Sequence, residues 1–123
     1  MDKIAEKIAA LGVPSLVLIA AINATGLTGA AAITTALAAI GPFGIVGGIA
    51  TLGVAGIISE SIVNYGSMKV YKAVINELYS KRGETKESIM MKIEKYPISK
   101  ELKRELAETL IMLEQENDSG VDE

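Results

Sequence analysis

The chain has 123 residues, enough for one domain with one modest core, and is 50% hydrophobic but only 4% aromatic. It contains no His and no Cys, which removes the commonest general base, the commonest metal ligand, any disulfide framework and all thiolate chemistry. The formal charge is −3 and no basic step is longer than two residues, as at Lys81-Arg82, so no basic field suited to nucleic acid exists.

Charged residues make up 22% of the chain, but none lies between Lys7 and Glu60. Residues 8–59 therefore form one uncharged block, and the ionisable groups sit in a short N-terminal tip and in residues 60–123. The tip, residues 1–12, reads as a short amphipathic helix with Ile4, Ile8 and Leu11 on one face. It carries two acids and two bases before the apolar run and so lacks the positive bias of a signal-peptide n-region, and a cleaved signal peptide is not expected. Gly12 and Pro14 end this helix, with Pro14 suited to the first turn of the next.

Residues 14–40 are the first long apolar segment. As one straight helix they would extend roughly 40 Å, longer than a hydrocarbon core of about 30 Å. Asn23, Thr25 and Thr28 form a polar patch in the middle, with Gly26 and Gly29 beside it, so the segment either kinks or divides there. Gly41-Pro42-Phe43-Gly44 is a turn signal. A second apolar helix follows over about 44–62, the two segments together making a helical hairpin over 13–59. Strand pieces are conceivable around Phe43–Ile49, but period-two alternation is not sustained and the Ala-rich runs favour helix.

Beyond residue 60 the pattern becomes ordinary. Val70, Tyr71, Val74, Ile75, Leu78 and Tyr79 recur at helical spacing over 60–82, with a break expected at Gly66 and a stop at Gly83. A short helix over 85–95 presents Ile89, Met90 and Ile93, and Pro97 ends it. Ser99 caps a last helix over 100–115, striped by Leu102, Leu106, Leu110 and Leu113. Residues 60–115 therefore read as an amphipathic cap, whose C-terminal pair is expected to dock on helix 60–82. Residues 116–123 read as an acidic, disordered tail.

The fold class is all-α. Two consecutive helices without charge have no obvious water-facing side, and a bilayer is the simplest environment that tolerates this. Small residues recur every four positions at Ala20, Ala24, Thr28, Ala32 and Ala36, and again at Gly47, Thr51 and Ala55, with Gly44 and Gly48 alongside. Such faces let helix backbones approach closely in lipid. Residues 14–59 are similar in layout to the uncharged, Ala/Gly-rich helical hairpin of the pore-forming colicins, a similarity of composition that carries no motif.

The expected function is that of a small membrane-inserted helical hairpin that self-associates into a homo-oligomer and acts as a pore, channel or membrane-perturbing effector. The packing residues would be Ala20, Ala24, Thr28, Ala32, Ala36, Gly44, Gly47, Gly48, Thr51 and Ala55, and the polar patch Asn23, Thr25 and Thr28. The expected partners are the lipid bilayer, a second copy, and a protein bound through residues 84–115. With Lys and Arg flanking the block and none in its turn, both termini are expected in the cytoplasm. The alternative is a soluble all-helical adaptor in which amphipathic helices wrap an Ala/Gly-rich core. No enzyme activity, cofactor or metal site is expected. The glycines of 41–56 lack the Lys of a phosphate-binding loop, and the glutamates of 84–108 alternate with lysines as solvated faces.

Overall fold

The computed structural model describes residues 1–40 and 48–118, with residues 48–51, 117 and 118 described by their backbone alone. These residues form seven helices and no strand: α1 (Asp2–Ala9), α2 (Pro14–Thr25), α3 (Gly29–Ile40), α4 (Gly48–Tyr65), α5 (Ser67–Lys81), α6 (Lys86–Lys95) and α7 (Lys100–Asp118).

The centre of the molecule is α2. Pro14 stands in its first turn, where a missing N–H costs nothing. Every residue from Ser15 to Ile22 is buried, so the helix has no solvent-facing side. The one hydroxyl in that run, Ser15 Oγ, donates to the Gly12 carbonyl at 2.7 Å and is thereby satisfied. Helices α3, α4, α5 and α7 all pack on α2. Its apolar side chains each contribute about 1.5–3 kcal/mol of burial, before the entropy of ordering is subtracted.

The long apolar segment 14–40 is two helices, so the polar patch divides it. The chain leaves α2 through Gly26 at φ 68°, a conformation that a Cβ disfavours. Thr25 donates its hydroxyl to the Ile22 carbonyl at 2.7 Å and accepts the Leu27 N–H at 3.0 Å, which fixes the corner. Helix α3 then packs against both α2 and α4. The Gly29 N–H donates to Ser59 Oγ at 3.2 Å, tying the start of α3 to the C-terminal half of α4. The expected turn at Gly41–Gly44 lies outside the described residues.

Gly66, at φ 88°, separates α4 from α5 where a break was expected. Helix α5 buries Val70, Tyr71, Val74, Ile75 and Leu78, and packs on α1, α2 and α4. Helix α1 lies at 109° to α2 and buries Ala5, Ile8 and Ala9. Helix α6 opens with a capping box in which Thr85 and Ser88 each satisfy the other's backbone N–H. Ser99 accepts the Leu102 N–H at 3.2 Å, as the N-terminus of α7 requires. Helix α7 continues three residues beyond the expected 115, to Asp118. It packs on α2 and α6, and Tyr71–Glu105 and Lys72–Glu116 also join it to α5, the helix on which this pair was expected to dock. The reason for its packing on α2 is that α2 is apolar on all sides and its last open side needs a cover.

Candidate functional site: an uncharged helical face

Helices α3 and α4 lie over α2 and turn one surface outward. On α3 only Ala32, Ala36 and Ile40 are buried, while Ala30, Ala31, Thr34, Thr35, Ala38 and Ala39 are exposed. In α4, Ala55, Ile58, Ser59 and Ser61 are buried, and Leu52, Gly53, Glu60 and Val63 are exposed, so the charge-free part of the face ends at Glu60. Leu27 at the α2–α3 corner, Leu52 and Val63 stand 47%, 50% and 61% exposed, far more than a Leu or Val needs to be. No residue of this face before Glu60 carries a charge. An exposed helix face normally recruits Lys and Glu, and this one recruits Ala, Thr, Gly and Leu instead.

The glycines of α4 sharpen the point. A Cβ built on Gly53 or Gly56 meets nothing within 4 Å. Neither glycine is needed for close packing inside the chain, yet each costs about 1 kcal/mol relative to Ala in a helix interior. A shallow cavity beside this face is lined by Ile22, Asn23, Leu27, Thr28, Ile62 and Val63.

The residues singled out from sequence fall into three groups. Ala20, Ala32, Ala36 and Ala55 are buried between helices of the same chain. Ala24 and Thr28 are exposed, because the break at Gly26–Gly29 takes them off the face of Ala32 and Ala36. Gly44, Gly47 and the Thr51 side chain lie outside the described residues, and Gly48 opens α4. Of the polar patch, Asn23 and Thr28 are exposed and Thr25 is half-buried, bonded within its own corner. The patch thus spans the last turn of α2 and the corner that follows, and Asn23 and Thr28 line the shallow cavity beside the face. The large exposed residues Leu27, Leu52 and Val63 were not singled out from sequence. The absence of charge was the available signal, but without amphipathic periodicity nothing told which face would turn outward.

Most charges sit on α1 and α5–α7. Lys81 pairs with Glu6 at 2.6 Å and with Glu77 at 3.6 Å, joining α1 to α5. Lys72–Glu116 at 3.3 Å spans α5 and α7, Lys86–Glu114 at 2.6 Å spans α6 and α7, and Lys92–Glu84 at 2.5 Å braces the start of α6. The bond from Lys81, then its charge, holds the Glu6 carboxyl below the usual glutamate range. The bonds from Lys92 and Ser88 lower Glu84 likewise. Tyr71 donates to Glu105 Oε2 at 3.1 Å. Burial first, and the Glu105 charge second, push its phenol far above the ordinary tyrosine value, so it acts as a neutral structural donor. Among the described residues no cluster of three metal-ligating side chains occurs.

No described helix is by itself long and apolar enough to cross a membrane, although the bent pair α1–α2 reaches the required length and composition together. The chain matches no family model, no curated protein and no solved structure.

Proposed function

We propose that this protein acts at a lipid bilayer, as a small self-associating helical protein that perturbs the membrane through its α3–α4 face. The observation that carries the reading is the exposed surface of α3 and the first turns of described α4 side chains, which carries Leu27 and Leu52 and no ionisable group. In lipid such a face avoids the desolvation that one Lys or Glu would impose. Helix α3 has 12 residues, about 18 Å, roughly half the hydrocarbon thickness. Helix α3 therefore enters one leaflet without spanning the bilayer in this conformation. The open Gly53 and Gly56 supply the close-contact surface on which a second copy packs once lipid surrounds it. The charged helices α1 and α5–α7 stay together on one side, which positive-inside bias makes the cytoplasmic one.

The test is flotation with neutral phosphatidylcholine vesicles, followed by dye release. The proposal expects the chain to float with the vesicles and to release dye with a dependence on protein concentration steeper than first order. A chain that stays at the bottom of the gradient ends the membrane reading.

A second reading, a soluble interaction module, is favoured by the enclosure of α2: Ser15 to Ile22 are all buried, and four helices of the same chain pack on them. In that reading the α3–α4 face receives a partner protein, and the chain remains monodisperse without detergent and inert toward vesicles.

A further inference from the structure

Away from the uncharged face, α5 and α7 leave a cleft between them. It has a volume of about 340 Å³, toward the lower end of ligand-binding pockets. Its walls are Ile75 of α5 and Leu110 and Leu113 of α7, all buried, and the start of α6 closes one end. An α-helix, about 10 Å across, does not fit such a space unless α5 and α7 part. A single hydrocarbon chain or one ring does.

The polar rim has a direction. Lys72 and Lys86 stand at the mouth, each with one proton committed to a glutamate of α7 and two to spare. The Tyr79 hydroxyl and the Asn76 amide also line the cleft, and neither donates to another side chain of the described residues. Burial, with the nearby Glu114 and Glu87 charges, raises the Tyr79 phenol and keeps it a donor at neutral pH. Of the two lining carboxylates, Glu84 is occupied by Lys92 and Ser88. Glu114 bonds Lys86 through one oxygen. Free donors of Lys72, Lys86, Tyr79 and Asn76 therefore stand at the rim over an apolar floor.

We infer that the cleft between α5 and α7 binds a single-chain anionic amphiphile, its apolar chain against Ile75, Leu110 and Leu113 and its carboxylate at Lys86 and Lys72. The inference stands independently of the membrane reading, since none of its residues lies on the α3–α4 face. Glu114 is the internal competitor: an incoming carboxylate takes the spare Lys86 protons and competes with Glu114 for the one it now accepts.

The experiment titrates the full chain with dodecanoate below its micelle concentration, using calorimetry and backbone-amide NMR. Dodecyltrimethylammonium, dodecanol and acetate are the comparison arms. Dodecanoate should saturate at one per chain and shift amides of α5, the start of α6 and α7, with each comparison ligand binding at least about tenfold more weakly. Lys86→Gln should weaken dodecanoate about tenfold, the scale of one charge-assisted bond. Glu114→Gln should strengthen it, by freeing Lys86. Lys72→Gln serves the same purpose should Lys86→Gln lose its helical circular dichroism. The inference is overturned if the cationic amphiphile binds equally well. It also fails if Lys86→Gln and Glu114→Gln move affinity in the same direction, as mere loosening of the α6–α7 ion pair would, or if the shifted amides lie on α3 and α4.

Discussion

The uncharged half of the chain, residues 8–59, and the charged half that follows both fold into helices, but they are oriented by different physics. In the charged half each helix has an apolar stripe and a polar remainder, so burial dictates its rotation about its own axis. In the uncharged half no residue objects strongly to either environment. There, position in the fold decides: α2 is enclosed by four helices, while α3, of similar composition, is left with an outer face of Ala and Thr. Absence of charge therefore marks two different things, a buried core and an exposed surface.

The most forceful way to break this comparison is to damage the enclosed helix. Ile19→Ala should lower unfolding free energy by about 2–5 kcal/mol in urea denaturation, because the cavity is lined on all sides and cannot collapse. Thr35→Ala on the outer face of α3 should change it by less than about 0.5 kcal/mol. Equal costs would mean that α2 and α3 share one environment.

The corner between the two helices comes next. Gly26→Ala should cost roughly 1–2 kcal/mol, wholly from placing a Cβ at φ 68°, since nothing lies within 4 Å of that position. A smaller effect at the other end of the molecule is Thr85→Ala, which removes the α6 cap and should cost about 1 kcal/mol. Both are read by thermal or urea unfolding.

The legibility of the fold follows the same division. The stripe Leu102, Leu106, Leu110 and Leu113 is buried as its spacing requires, and so are Val70, Val74, Ile75 and Leu78. Of Ile89, Met90 and Ile93 the two isoleucines are buried and Met90 is half-buried. Those residues were legible because charged neighbours forced one solution. The row Ala20, Ala24, Thr28, Ala32 and Ala36 was read as one continuous face, and the break after Thr25 divides it. Gly26 and Gly29 signalled that break, but sequence alone left a kink and a division equally open, because the deciding contact, Gly29 to Ser59, joins residues 30 positions apart. The candidate face was legible only as an absence of charge, and its exposed members depend on which side of α3 meets α2.

The smallest effect separates the halves by pH. Glu6 and Glu84 belong to the charged clasp and titrate below the ordinary glutamate range. A carboxyl with a depressed folded value contributes stability that is present above its unfolded value and lost as pH falls through the folded one. Stability should therefore decline on acidification below the ordinary glutamate range. Glu6→Gln should make that decline shallower by a modest amount, because the pair is exposed. The measurement is the urea midpoint as a function of pH, and an unchanged profile in Glu6→Gln would remove the α1–α5 clasp from the account.

The central claim is that the α3–α4 face is uncharged because it meets lipid. Its most direct test compares the wild-type chain with the double variant Ala31→Glu, Ala38→Glu, one α-helical face with two charges added, in flotation with neutral phosphatidylcholine vesicles. Both alanines are exposed, so the variant should keep its fold, with circular dichroism unchanged and unfolding free energy altered by no more than about 1 kcal/mol. The account predicts that the wild type floats and the variant does not. A variant that floats as well as the wild type, or a wild type that stays with the soluble fraction, would contradict it.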